Sequence, residues 1–549
     1  MPIKDSVPHD GGACRMTGRR GFLKQTALSI AGVRAAAALP LAVETSRVTA
    51  TGGRSPIAAT THGKVRGENV DGINVFRGIP YGGDPSGKNR FMPPTKPLEW
   101  IGVRDALHWG HIAPQSSLPG PVDYLRLIDA LNLPGGQSED CLVLNVWTPA
   151  LKDGGKRPVL VSFHGGGFGI FAGSHPGCNG HPLAQFGNVV VVTINHRLGC
   201  LGYLHLGDLD AEFSKSGVAG MMDCVAALEW VRDNIENFGG DPGKVMIFGC
   251  SGGGAKVSNL LAMPSAKGLF HRAAIQSGAA LRSAPRDTAA QDAERLLARI
   301  GLSKTRVREL QTVPVEMMIA AQAVLGAQSP PVGFWPVVDG EVLPRHPFDP
   351  TAPEISADVP IIVSTTLQDA AIFRTDFDLD DAGLVAQVKA LGAGDPDRII
   401  NAYRRAYPSL NPFKLLATMN TDRGFRKDAI TLSERKAALQ QAPAYMYAFA
   451  WESPACGGKF GAVHATDAAL VFHNVDFAIT GAGPEARALS DQLAGAWVAF
   501  AKTGNPNHPG IPDWPAYTAE ARATMVFDTQ CRVENDPGME LRALWQQGS

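Results

Sequence analysis

Short, wholly apolar runs alternate along the chain with longer stretches in which apolar positions recur every three or four residues. Residues 158–163 (Pro-Val-Leu-Val-Ser-Phe), 189–194 (Val-Val-Val-Val-Thr-Ile), 245–248 (Val-Met-Ile-Phe) and 361–363 (Ile-Ile-Val) are rich in β-branched side chains and too brief for ordinary helices. A run that is apolar at every position leaves no face for water, so each predicts a strand buried on both sides. Residues 220–235 and 254–263 carry helical patterns, the second stopped by Pro264. Strand and helix take turns, which predicts the α/β class with a mostly parallel central sheet and helices on both faces.

Length and charge narrow this picture. No Pro/Ser-rich linker, charge block or internal repeat divides the 549 residues, so one domain with insertions is expected over 51–549. Lysine and arginine number 51 against 52 aspartates and glutamates, a formal net charge of -1. That balance provides no electrostatic footprint for nucleic acid or for an anionic membrane surface.

Residues 1–50 read differently. Arg19-Arg20-Gly21-Phe22-Leu23-Lys24, followed by the moderately apolar stretch 26–42, resembles a twin-arginine export signal, and Val48-Thr49-Ala50 suits small-residue cleavage. The apolar stretch is too short and too weak for a stable membrane span. A signal peptide over 1–50 predicts a bacterial protein that is periplasmic or secreted. Of eight cysteines, Cys14 falls in that segment, and the remaining odd number suits folding without disulfides. Cys200, Cys224 and Cys250 lack metal-ligand spacing, and no metal or cofactor is expected.

The chemistry begins at Gly249-Cys250-Ser251-Gly252-Gly253, directly after the apolar run 245–248. A serine that must turn the chain from strand to helix within a few residues is held in a strained conformation with Oγ raised above the sheet. The following helix aims its free N–H groups at that serine, where they favour a developing negative charge. With 61 glycines in the chain the motif alone arises by chance, so context decides. A second glycine run, His164-Gly165-Gly166-Gly167-Phe168, ends the strand pattern 158–163. Acyl transfer needs N–H donors fixed where the carbonyl oxygen becomes negative, and Gly166, Gly167 and Gly252 are the candidates for that oxyanion hole.

With both motifs in place, the chain resembles the type B carboxylesterases, the group of cholinesterases and para-nitrobenzyl esterases, from about residue 56 to the C-terminus. The likeness rests on Phe76-Arg77-Gly78-Ile79-Pro80-Tyr81, Ser138-Glu139-Asp140-Cys141-Leu142, Asn237-Phe238-Gly239-Gly240-Asp241-Pro242, Gln276-Ser277-Gly278 and Thr503-Gly504-Asn505-Pro506-Asn507, in that order. It implies an α/β-hydrolase fold with inserted loops forming a gorge, and triad residues in the chain order Ser, acid, His. Ser251 is then the nucleophile. His464, in Gly461-Ala462-Val463-His464-Ala465-Thr466-Asp467, matches the family's histidine loop, with His473 the nearest rival. Asp369 falls where the family usually carries Glu, with Asp467 or Asp376 as fallback. Family position also suggests Phe168, Phe171, Phe334 and Trp335 as substrate-pocket residues, Arg90–Glu139 and Arg197–Asp223 as structural ion pairs, and no bridge at Cys141, because Ala113 stands where relatives have its partner. Cys250 replaces the usual Glu before the nucleophile and Gly252 the usual Ala after it.

These residues together predict a serine carboxylic-ester hydrolase acting through an acyl-enzyme on a small-molecule ester, as a monomer or dimer. Amide or carbamate cleavage by the same triad is the mechanistic alternative. A non-catalytic binding member of the fold is the rival class.

Overall fold

The computed structural model describes residues 55–546 except 117–120, 131 and 393. The export-signal reading of residues 1–50 lies outside the described residues.

Fourteen strands are found among these residues: β1 (Ile57–Thr60), β2 (Gly63–Arg66), β3 (Glu68–Val70), β4 (Ile73–Pro80), β5 (Val103–Asp105), β6 (Val143–Thr148), β7 (Arg157–Phe163), β8 (Val190–Ile194), β9 (Gly240–Cys250), β10 (Arg272–Gln276), β11 (Ile361–Thr366), β12 (Ala444–Phe449), β13 (Ala523–Phe527) and β14 (Arg532–Asn535). Eleven form one sheet in the order β14-β13-β12-β11-β10-β9-β7-β8-β6-β4-β3, and β1, β2 and β5 form a small separate one. From β8 to β13 every neighbouring pair is parallel, whereas β14 at one edge and β6, β4 and β3 at the other run antiparallel. The expected α/β-hydrolase architecture is therefore present.

The apolar runs occupy the centre of this sheet for the reason that made them legible. Successive side chains on a strand point to opposite faces. Val159, Val161, Val245 and Ile247 pack into one core with Cys224, Leu228 and Val231 of the helix Ala219–Asn234. Leu160, Met246, Phe248 and Ile362 pack into another with Leu493, Trp497 and Phe500 of the helix Pro484–Thr503. Each fully buried Val, Leu, Ile or Phe contributes about 1.5–3 kcal/mol, so both faces must be covered for such runs to be favourable. β9 begins five residues earlier than the apolar run. Its register against β7 shifts between the Arg157–Gly240 and Val159–Val245 pairs, which accommodates Pro242 in the irregular stretch.

Two ion pairs brace the frame. Arg197 and Asp223 are fully buried, with Nε and Nη2 donating to the carboxylate at 2.9 and 2.7 Å. Arg90 grips Glu139 through Nε and Nη2 at 2.8 and 2.5 Å. Cys141 is a buried free thiol, as are Cys200 and Cys224. Among the described residues no helix is long and apolar enough to cross a membrane. Because β7, β9, β11 and β12 are parallel, the loops that leave them all emerge at one edge of the sheet, where open α/β sheets place their ligands.

Candidate active site

Ser251 joins β9 to the helix Gly252–Leu260 with φ 60° and ψ -125°. Such a backbone is sparsely populated for a residue with a side chain and costs on the order of 1–3 kcal/mol. Its surroundings hold it there. The Ser251 N–H donates to the Gln276 carbonyl at 2.8 Å, and the Ser251 carbonyl accepts from the Ala255 N–H at 3.1 Å. The helix can start this close to the sheet because residue 253 is glycine: a Cβ there would lie 2.1 Å from the Phe163 carbonyl oxygen.

The glycine loop after β7 lies against the same helix. Gly166 and Gly167 have φ of 80° and 60°, the left-handed region that glycine adopts without strain. Among the described residues neither of their N–H groups donates a hydrogen bond. A Cβ added at Gly252 would sit 2.1 Å from the Gly167 carbonyl oxygen, so the loop and the first turn of the helix touch backbone to backbone. Phe171 lies beside Gly166, and the half-exposed Trp335 covers Gly167 and meets the Phe168 ring edge-on at 5.3 Å. Phe168 and Phe334 are both buried in the core on that side.

Asp369 follows β11 and His464 lies in the loop after β12; both are buried. His464 Nδ1 and Asp369 Oδ1 are 2.7 Å apart, and the other carboxylate oxygen accepts from the Thr366 N–H at 3.0 Å. A carboxylate only accepts, so Nδ1 carries the proton and Nε2 presents its lone pair. Nε2 is buried without a hydrogen-bond partner, Ser251 Oγ included. Tyr124 Oη donates to the His464 carbonyl at 3.2 Å. Cys250 lies between the two halves of the site; burial pushes its thiol up, and the nearby Asp467 and Asp369 carboxylates add to that.

The alternatives are occupied elsewhere. Asp467 accepts from Tyr447 Oη at 2.7 Å, Gln276 Nε2 at 3.0 Å and the Ala468 N–H at 2.9 Å, and burial pushes its carboxyl up. Asp376 binds Arg374 and Gln387. His473 pairs with Asp491 at 2.7 Å and stacks on Phe186.

Three neighbours escaped the sequence reading. Phe425, in the π-helical turn Asp422–Arg426, sets its ring 5.4 Å from that of His464. Phe373 stacks on Phe425 at 6.4 Å and is 73% exposed. No local pattern announces either contact, because each joins segments far apart in sequence. Lys256 is fully buried beneath the glycine loop; its one signal is a lone cation in an otherwise small and apolar stretch of helix.

A cavity of about 930 Å³ opens elsewhere, under the C-terminal helix Met539–Gln546, and none of Ser251, Asp369 or His464 lines it. Among the described residues no group of three or more His, Cys, Asp and Glu side chains is arranged to hold a metal.

A model of the carboxylesterase family matches residues 54–545. The para-nitrobenzyl esterase of Bacillus subtilis (strain 168) is 36% identical over 497 residues, covering 88% of this chain and 97% of the relative. A carboxylesterase of Geobacillus stearothermophilus has a solved structure that superposes with a TM-score of 0.76 at 38% identity, covering 89% of this chain and 100% of that one. An esterase from the anaerobe Clostridium hathewayi that can hydrolyze aliphatic aromatic polyesters superposes with a TM-score of 0.79 at 32% identity, over 90% and 99% of the two chains.

Proposed function

This chain belongs to the carboxylesterase family, and from that premise we propose that it cleaves carboxylic esters through an acyl-enzyme on Ser251, with His464 as base and Asp369 as the acid that orients it. The observation that carries the assignment is the 2.7 Å contact between His464 Nδ1 and Asp369 Oδ1, which leaves Nε2 as the proton acceptor. Ser251 Oγ attacks the ester carbonyl as its proton passes to His464 Nε2. The carbonyl oxygen becomes negative and is held by the N–H groups of Gly166, Gly167 and Gly252. The imidazolium returns the proton to the departing alcohol, and water activated by His464 then releases the acid and frees Ser251. Asp369 stabilises the imidazolium in both halves and keeps the tautomer.

The aromatic rings beside the loop and beside His464 suit an ester with an apolar acyl or alcohol group. The test is hydrolysis of para-nitrophenyl acetate, butyrate and octanoate by the wild type and Ser251→Ala. Turnover that drops by about 10⁶-fold in the variant supports the reading, since removing a serine nucleophile has effects of that order. A folded wild type that neither turns over these esters nor takes up a phosphonate at Ser251 sinks it in favour of a binding role. Export is part of the same proposal: replacing Arg19 and Arg20 by lysine is expected to leave the enzyme in the cytoplasm.

A further inference from the structure

Lys256 lies one helical turn beyond Gly252 in the helix Gly252–Leu260 and is wholly buried. Its Nζ donates to three backbone carbonyls: Gly167 at 2.7 Å, His164 at 3.1 Å and Gly252 at 3.3 Å. Two of these belong to the glycine loop and the third to the first turn of the helix. An ammonium has three N–H donors, so this set uses all of them and ties the loop to the helix. Nζ also lies 4.9 Å from the centroid of the Phe168 ring, within range of a cation–π attraction.

Burying an ammonium against neutral groups is unfavourable, and an apolar side chain would fill the same space without that penalty. What the lysine adds is direction and charge. In a planar peptide the N–H points opposite to the C=O. The peptides that follow His164 and Gly167 have their carbonyls on Nζ and so point the Gly165 and Phe168 N–H groups the other way, and the Gly166 and Gly167 N–H groups lie on the segment held between these two anchors. The close approach of Gly252 to Gly167 clamps the same segment from the same helix.

We propose that Lys256 is a positioning residue for ester hydrolysis: its ammonium pins the His164 and Gly167 carbonyls to the nucleophile helix and keeps the Gly166, Gly167 and Gly252 N–H groups aimed at the carbonyl oxygen as it becomes negative. The inference rests on the reading of those N–H groups as the oxyanion hole.

The lysine's own titration provides a signature. Burial pushes Lys256 down to about 7, opposed chiefly by Cys224 on the helix Ala219–Asn234. The groups that face it from the strand-end loops are His164 and His196, whose rings stack at 4.9 Å. Burial and then Lys256 push both well down, so they stay neutral around pH 7. Arg197, beyond His196, is compensated by Asp223. Lys256 is thus charged below about pH 7 and neutral above it, where it keeps two of its three donors and loses the charge.

The test is steady-state hydrolysis of para-nitrophenyl acetate from about pH 6 to about pH 10 by the full chain, by Lys256→Met, which keeps most of the stem's volume, and by Lys256→Gln, which keeps a neutral donor. The Met variant is expected to lose about 10- to 100-fold in kcat with KM changed by less than about threefold, and the Gln variant less. The wild-type fall in kcat above about pH 7 should be absent from both. Inhibition by a trifluoromethyl ketone, whose serine adduct carries the oxyanion, should weaken by the same factor as kcat/KM. A folded Met variant with wild-type kcat overturns the inference, and so does one whose kcat drops while the pH profile and the ketone affinity stay as in the wild type. If neither variant folds, the wild type decides, and a kcat that does not decline up to about pH 10 overturns it. An active, phosphonate-labelled wild type with an unaffected Met variant sinks only the role of Lys256, whereas a wild type that neither labels nor turns over sinks the parent reading.

Discussion

On one flank of Ser251 the glycine loop after β7 meets the helix Gly252–Leu260 backbone to backbone, so closely that a Cβ at Gly252 would lie 2.1 Å from the Gly167 carbonyl oxygen. On the other flank Asp369 and His464 arrive on loops from β11 and β12 and meet through one side-chain contact of 2.7 Å, with Phe425 and the exposed Phe373 stacked beyond. The first flank is made of main-chain groups, and its shape depends on the absence of side chains. The second is made of side-chain atoms whose identity can vary as long as they reach: an Asp stands where the family usually has Glu, and Thr366 and Tyr124 hold the pair in place. The two flanks should therefore fail differently, one to added volume and the other to the exchange of a single atom.

The sharpest break of that contrast is Asp369→Asn, which preserves shape and removes the charge that orients His464. Its kcat is expected to fall by about 10⁴-fold on para-nitrophenyl acetate. Asp467→Asn should stay within about tenfold, because burial already pushes that carboxyl toward its neutral form and the amide oxygen can still accept from Tyr447. A nearly inactive Asp467→Asn beside an active Asp369→Asn would reverse the assignment.

Gly252→Ala probes the other flank. One methyl group must displace the Gly167 backbone, and if Gly166, Gly167 and Gly252 form the proposed oxyanion hole, kcat is expected to fall by about 10²- to 10³-fold with little change in KM. Unchanged kinetics would mean that the loop relaxes freely, and the contrast between the flanks would disappear. The smallest expected effect is at the aromatic stack. Phe425→Ala should reduce kcat/KM by the equivalent of about 0.5–1.5 kcal/mol, the value of one ring contact. Phe373→Ala should shift unfolding free energy by less than about 0.5 kcal/mol in chemical denaturation, as expected for a residue 73% exposed. A larger loss of stability at Phe373 would show that the side-chain flank carries folding load.

The difference between the flanks also explains what could be read in advance. A left-handed backbone favours glycine, and glycine is visible in sequence, so Gly166 and Gly167 stood out after the apolar run of β7, and Gly252 after that of β9 although the family usually carries Ala there. Asp369 needed a resemblance, because an aspartate after an apolar strand is common and nothing local distinguishes it from Asp376 or Asp467. Phe168 and Phe334, assigned to the pocket by family position, are both buried and belong to the same hydrophobic core. The register shift in β9 and the π-helical turn that carries Phe425 have no local signature, since both are set by what packs against them.

By itself the sequence determined the parallel sheet, its two covered faces and the strand-to-helix turn at Ser251. These follow from local periodicity and from backbone conformations that few residues tolerate. Only the tertiary structure decided which carboxylate meets His464, which rings flank it and where the ammonium of Lys256 goes. Those are contacts between segments separated by tens to hundreds of residues, as between Lys256 and His164 or His464 and Asp369, and their geometry depends on the packing of the whole sheet.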